Sequence, residues 1–481
     1  MKLNRLLLII PVFMAFGCEN QLDLSPVTNL TNATYYKTAD DARAALGACY
    51  NAIGNLDPNI DITTTDEAIP FLTGDANRPL LWRYNLTPAN SLIGTYAQGY
   101  RGINRSNTVI DRLPGIPMDE TLKKRYVAEA KFLRALHYFN LVRYYGDVPL
   151  ITKETTSLEG LEVGRSPLAD VYALIEADLK EAESVLPKSY PAAETGRVTQ
   201  GAAKGILAKV YLTRAGTTAN SPYWAQAAAK AKEVIDLGVY DLYANFADAF
   251  ALSARGGKEN IFEVQYLTDV RGHGLGRNFG VRQALIYPSG GAGIARVSPS
   301  LFNAYTPDDK RKAVTFITSY VYNGVTTNLS VTDPDPTKAV SFQKLWDKTA
   351  KTSGGEGTSI PVLRYADVLL MQAEALNEAN SGPTPEAYAA LNRVRTRAGL
   401  TALSGLSYQQ FKEAVWLERR LELTFENSRR FDLVRTGRLV DAVKAENSFS
   451  RNATIQPFHN LLPIPQNDMD ANPKLVQNPG Y

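Results

Sequence analysis

LERRLELTFENSRRFDLVRTGR, residues Leu417 to Arg438, decides how the rest of the chain is read. Glu418, Glu422 and Glu426 fall four apart, and Arg419, Arg420, Arg429, Arg430 and Arg435 crowd around them. Carboxylates beside arginines can form an acid–base centre or an ion-pair lattice between helices. Residues four apart on a helix share a face. The three glutamates therefore form one acidic stripe, which Arg429 extends. Leu417, Leu421 and Phe425 form an apolar stripe beside it, widened by Val415, Trp416 and Leu423. A helix apolar over so much of its circumference is expected to be buried. Buried carboxylates need partners, and arginine forks supply bidentate ones. Catalytic carboxylates more often project from loops into open clefts. The stretch reads as a structural network of Glu418, Arg419, Glu422, Glu426, Arg429, Arg430 and Asp432, with no catalytic residue in it.

The beginning of the chain sets its destination. MKLNRLLLIIPVFMAFGCEN, residues 1–20, has a basic start at Lys2 and Arg5 and an apolar run from Leu6 to Phe16. That run is too short to remain as a membrane span and reads as a secretory signal. Cys18 follows a small residue, with Ala15 where a leucine is usual, so it reads as a lipidation site with cleavage before it. The plainer alternative is an ordinary signal peptide with a chance cysteine. Several acyl chains anchor a protein stably where one does not. Cleavage removes two cations, and the net charge falls from +3 to +1. With Cys18 lipidated, Cys49 has no partner, and stability must come from packing rather than disulfides.

Composition narrows the function classes. In 481 residues, 44% are hydrophobic and 21% charged, which is globular. No basic block follows the leader, so nucleic acid is not a predicted partner. The three histidines, His137, His273 and His459, are far apart, so no histidine metal centre and no cofactor are expected. GHGLGRNFG (272–280) lacks both dinucleotide and P-loop spacing. Neither a G-x-S-x-G elbow nor an H-E-x-x-H motif occurs. A glycosidase needs two carboxylates across a cleft, and nothing marks such a pair.

Helical spacing runs through most of the chain. KTADDARAALGACYNAIG (37–54), LIGTYAQGYRGINRSNTVIDRL (92–113) and LKKRYVAEAKFLRALHYFNLVRYYGDVPL (122–150) carry apolar residues at intervals of three and four. Gly146 and Pro149 end the third, and His137 on its core face is expected to be a hydrogen-bonded interior histidine. Residues 55–93 hold four prolines and read as irregular. Two segments have the form of tetratricopeptide helix pairs. In residues 205–238, Leu207, Ala208 and Tyr211 take the signature positions. In residues 365–400, Pro385 opens the second helix. Such pairs bury their apolar faces by stacking. Between them, residues 258–360 differ. NIFEVQYL (260–267) alternates as a strand, while GGAGIARVSPS, TDPDPT and TSGGEGTS are turns.

Several of these stretches together resemble one family. They are RALHYFNLVRYYGDVPL (134–150), LRYADVLLMQAEALNE (363–378), LNRVRTRAGL (391–400), ERRLELTFENSRRFDLVR (418–435) and the tail LLPIPQNDMDANPKLVQNPGY (461–481). With the leader, they resemble the SusD/RagB-like outer-membrane nutrient-binding lipoproteins of Bacteroidetes, in matching order from about Cys18 to Tyr481. The resemblance implies a mostly α fold, with tetratricopeptide-like pairs in one helical body and a loop-rich subdomain with a few short strands. The expected organisation is a signal peptide over 1–17, a helical region over 18–240, an irregular insertion over 241–360 and a C-terminal region over 361–481 completing the helical body. The implied role is that of a surface-exposed, lipid-anchored binding protein. It would capture oligosaccharides (peptides in the RagB branch) and deliver them to a SusC-like TonB-dependent transporter, on which it sits as a lid. A glycan-cleaving enzyme is the competing class.

The family motifs do not cover the ligand-binding loops, so candidates come from chemistry alone. Sugars present apolar C–H faces with a hydroxyl rim, and flat aromatic rings in loops hold them. Trp82 and Tyr84 in PLLWRYNLTPANS (79–91), Tyr96, Phe279, Tyr287, Tyr320 and Tyr322 are the candidates. Simple packing is the plainer reading for most of the 25 tyrosines.

Overall fold

The helical body is assembled mostly from neighbours in the chain. The computed structural model describes residues 36–54, 58–71, 78–89, 94–157, 159–446 and 454–481. Cys18 and the expected signal peptide lie outside the described residues. Helix α1 (Ala39–Ile53) opens on a capping box: the Thr38 hydroxyl accepts from the Asp41 N–H, and the Asp41 carboxylate accepts from the Thr38 N–H. Among its described residues the proline-rich stretch holds α2 (Pro58–Thr63), β1 (Ala68–Pro70) and α3 (Arg78–Trp82). Next come α4 (Thr95–Arg112), α5 (Glu120–Tyr145), α6 (Leu168–Val185), α7 (Gln200–Ala215) and α8 (Pro222–Asp236), each packed on the one before it from α5 onward. Gly146, at a φ of 72°, ends α5, and its N–H reaches the Val142 carbonyl.

Residues 258–360 leave this body and return to it. They contain β2 (Asn260–Val264), α9 (Leu275–Asn278), β3 (Ala295–Val297), α10 (Pro299–Ala304), α11 (Lys312–Thr315), β4 (Phe316–Ile317), β5 (Ser319–Tyr322), β6 (Val325–Asn328), β7 (Ser341–Phe342) and β8 (Ile360–Arg364). The pairs β1–β3, β2–β8, β4–β7 and β5–β6 are each antiparallel and two-stranded. The β2–β8 pair joins the two ends of the segment. Asn323 and Gly324, both at positive φ, form the tight turn of the β5–β6 hairpin. The alternation predicted for β2 is not present: all five of its residues are buried, and the register shifts twice along the strand. A strand enclosed on both faces has no polar side to keep.

After β8, α12 (Tyr365–Ala379) packs on α8, and α13 (Pro385–Arg397) packs on α12. The two tetratricopeptide-like pairs, α7–α8 and α12–α13, therefore stack through α8 and α12. The architecture is mostly α, with a few short strands.

The stretch 417–438 differs from its predicted single helix. Helix α14 (Tyr408–Glu422) stops at Glu422, and α15 (Arg429–Arg435) and α16 (Leu439–Ala445) follow a sharp turn. Phe425 and Asn427 sit at φ of 66° and 57° within that turn. The break has identifiable compensation. Lys344 Nζ donates to the carbonyl oxygens of Glu422 and Thr424, each at 2.9 Å, and so satisfies groups that a helix end leaves open. Phe425 stacks on Phe342, with centroids 4.7 Å apart and planes 7° apart. Leu417, predicted in the buried stripe, is 44% exposed.

His137 is interior as expected, but neither ring nitrogen has a hydrogen-bond partner among the described residues. Gly102 of α4 lies against it, and a Cβ built there would sit 2.1 Å from His137 Nε2. Among the described residues no helix is long and apolar enough to cross a membrane.

Candidate functional site

The charged residues singled out above sit inside the body, joined to partners from elsewhere in the chain. Arg311 Nη1 donates to Glu418 Oε1 at 2.6 Å and to Glu422 Oε2 at 3.1 Å. Arg364 and Arg397 reach Glu422 Oε1 at 2.9 and 2.5 Å, and both also pair with Glu259. Glu426 receives Arg364 on both oxygens and Lys344 on one. With Asp309 and Arg395 this connected group holds five carboxylates and five cations, so it is formally neutral. Burial works to raise the pKa of Glu422, and the surrounding Arg397, Arg364 and Arg311 outweigh it, holding the carboxyl at about 2.

Two further groups adjoin it. Arg419 and Arg435 both grip Asp432, and Arg419 also reaches Asp367, while Arg435 forms a bidentate pair with Glu374. Arg429 forms a bidentate pair with Asp66, at 2.8 and 2.7 Å. Arg430 donates its backbone N–H to Asp61 and its guanidinium to the His459 carbonyl. Glu418, Glu422 and their principal cations Arg311 and Arg364 are at most 1% exposed. A substrate has no approach to them, and every partner is already a protein group.

Five of the seven aromatic candidates are enclosed. Trp82 lies in the main core. Tyr84 packs against Leu433 and Leu439, with its hydroxyl donating to the Thr64 carbonyl. Tyr96 lies edge-on to Tyr145, and Phe279 edge-on to Phe342 and Phe425. Tyr287 is 2% exposed. All five rings are buried among protein groups rather than presented on the surface. The reason is general: an aromatic between prolines and glycines looks like a loop residue in sequence, yet such loops fold down onto the body because burying a large ring is strongly favourable. Tyr320 is half-buried and Tyr322 exposed, both on β5.

Tyr320 faces an open cavity of about 330 Å³. Its wall includes Ile286, Phe316, Ser319, Trp346 and Lys348. Ile286, Tyr320 and Trp346 of this wall pack against an apolar cluster separate from the main core, made of Val281, Ala284, Tyr287 and Ile317. Tyr287 braces Trp346 from within, with ring centroids 4.3 Å apart. Lys348 Nζ lies 5.1 Å from the Trp346 ring centroid. Among the described residues no Asp or Glu lines this cavity. The sequence reading passed over Trp346. Its signal was available: of the four tryptophans, it is the one between the turns of the irregular segment.

The glycine-rich stretch 272–280 has its own internal anchor. The N–H groups of Gly276 and Arg277 donate to the two oxygens of Glu356, at 2.7 and 2.9 Å. A carboxylate from the chain thus occupies the place a phosphate would need. Among the described residues no group of three His, Cys, Asp or Glu side chains could hold a metal ion.

Comparison with known proteins settles the family. The sequence model of the SusD family matches residues 258–481, and one described as "Starch-binding associating with outer membrane" matches residues 26–212. The chain belongs to the SusD-like family. SusD-like protein P25 from Formosa agariphila is 28% identical, over 99% of each chain. A SusD superfamily protein from Parabacteroides distasonis superposes with a TM-score of 0.81 at 28% identity, covering 94% of this chain and all of that one. A laminarin-binding SusD-like protein superposes with a TM-score of 0.78, also at 28% identity, covering 93% of this chain and 100% of its own.

Proposed function

We propose that this chain binds oligosaccharides at the cell surface and hands them to a SusC-like TonB-dependent transporter of the outer membrane. It acts as a binding protein and not as an enzyme. The observation that carries the reading is the aromatic shelf of Trp346 and Tyr320 over an open cavity. A flat ring offers a sugar C–H face a dry contact, and the neighbouring Ser319 and Lys348 supply polar groups for its hydroxyl rim. The absence of carboxylates from the cavity wall goes against hydrolysis there, which needs two of them. A laminarin-binding protein sharing the fold makes laminarin the first ligand to try. The leader and Cys18 support a lipid anchor.

Calorimetry against a panel of purified glycans, with parallel assay of released reducing ends, tests the reading. Binding without product release is expected. Product release that disappears on mutation of one carboxylate would establish an enzyme, and tight peptide binding without sugar binding would establish a peptide carrier. Cys18→Ala should move the protein out of the membrane fraction of its cells.

A further inference from the structure

The ion-pair groups leave out Arg143. It lies near the end of α5, with its guanidinium carbon 3.6 Å from the Phe431 ring centroid and 4.1 Å from that of Phe139. Nε donates to the Phe139 carbonyl oxygen at 3.2 Å, and Nη2 donates to Asn140 Oδ1. No carboxylate among the described residues forms an ion pair with it. The acids whose charge reaches it are Asp61 and Asp432. Asp432 is engaged by Arg419 and Arg435, and Asp61 accepts from the backbone N–H groups of Arg429 and Arg430. Burial lowers the Arg143 pKa to about 10, so the group is still charged at neutral pH.

Arg143, itself half-buried, lines a partly open cavity of about 60 Å³. Lys209, Asn140, Asn427 and Glu426 share the wall. Glu426 has both oxygens bound to Arg364, and one of them also to Lys344. Lys209 pairs with Asp367 at 2.7 Å and donates to the Val362 carbonyl at 3.3 Å, which leaves one ammonium hydrogen. Oδ1 of Asn427 has no donor, and a half-turn of that amide would present its two N–H groups to the cavity. The remaining wall is largely apolar, including Leu136, Ile206 and Val264. A guanidinium stacked on rings, with in-plane N–H groups left over and apolar walls around it, lacks a counter-charge. The space is too small for a sugar ring and large enough for a halide or a small carboxylate.

We propose that this cavity is a binding site for one small monovalent anion, held by the Arg143 fork with Lys209 beside it. The site is separate from the Trp346 shelf and does not depend on what binds there. Its occupant neutralises a half-buried cation that the carboxylate networks do not reach.

The test is thermal melting of the full chain at constant ionic strength, with sodium chloride, bromide or acetate replacing sodium gluconate, whose anion does not fit. At an anion concentration about 100-fold above Kd, a saturable rise in Tm of roughly 3 °C is expected. Arg143→Gln should abolish the rise. Crystals soaked in sodium bromide should show an anomalous peak within hydrogen-bond distance of the Arg143 guanidinium if the site takes halides. Acetate density at the same place identifies a carboxylate site instead. An equal response to salt in both proteins overturns the proposal, as does the absence of both bromide and acetate from the cavity. The crystal measurement uses the native chain, so the proposal stays falsifiable if Arg143→Gln fails to fold.

Discussion

Arg364 and Glu426 close a bidentate fork in the protein interior: Nε and Nη2 of the arginine each lie 2.6 Å from a carboxylate oxygen. The arginine ends β8, and the glutamate sits in the turn between α14 and α15. The fork therefore ties the returning end of the 258–360 segment to the C-terminal helices. Arg311 and Lys344 make the same kind of connection from other points of that segment. Each charge in this group has an opposite neighbour, which makes its burial tolerable and its disruption expensive.

Glu422→Gln should expose that expense. The carboxylate faces Arg311, Arg364 and Arg397, and its removal leaves buried cations uncompensated. A loss of about 3–5 kcal/mol in urea unfolding is expected, with glycan affinity of the folded variant unchanged. Loss of binding in a variant of full stability would show the cluster to be functional rather than structural.

Acid should reveal the same carboxylate in the native chain. Its folded pKa of about 2 lies below the 4.5 of an ordinary glutamate. The stabilisation is present above pH 4.5 and is lost as pH falls toward 2, by about 3 kcal/mol for this group. Urea midpoints measured from pH 5 to pH 2.5 should fall steeply in the native chain and less steeply in Glu422→Gln.

His137 governs a higher window. Burial, aided by the charge of Arg105, pushes its pKa from 6.5 down to about 4. The unfolded chain takes up a proton that the folded one refuses. Stability from this group is complete above pH 6.5 and falls as pH drops toward 4, by about 3 kcal/mol at the limit. His137→Leu, of similar size, should flatten the fall between pH 6.5 and 4. An unchanged slope in the variant would assign it to other groups.

The same histidine reverses an ordinary expectation at Gly102. In a helix interior, glycine to alanine usually stabilises by about 1 kcal/mol. Here the new methyl would sit 2.1 Å from His137 Nε2, deep in α4–α5 packing. Gly102→Ala should therefore lower Tm markedly, and the double variant with His137→Ala should recover much of the loss. Equal melting of Gly102→Ala and the native chain would mean that the ring has room to move.

Local spacing and long-range partners were unequally legible in the sequence. Period-four spacing places Glu418 and Glu422 together because α14 is regular there. It extends wrongly to Glu426, because Phe425 and Asn427 turn the backbone, and nothing local marks positive φ at a phenylalanine. Arg364 and Arg311 stand 58 and 111 residues before Glu422, and no periodicity spans that distance. Aromatic exposure fails for a related reason. Whether Trp82 or Trp346 meets solvent depends on how an irregular segment drapes over the body, and turn chemistry specifies where the chain bends but not what it then covers.

Trp346 and Tyr287 give the sharpest test of the proposed ligand shelf, because their rings touch at a tilt of 37° and only one is reachable. Trp346 is half-buried at the cavity wall, whereas Tyr287 is 2% exposed. Trp346→Ala should reduce glycan affinity at least tenfold, since truncating a central aromatic anchor costs about 2 kcal/mol or more. Tyr287→Phe should leave affinity unchanged, because it keeps the ring that braces Trp346 and removes only a buried hydroxyl. Calorimetry with the best glycan from the panel measures both. Retained affinity in Trp346→Ala would move the ligand away from this cavity, and a loss in Tyr287→Phe would mean that the tyrosine hydroxyl meets the ligand after a rearrangement of the shelf.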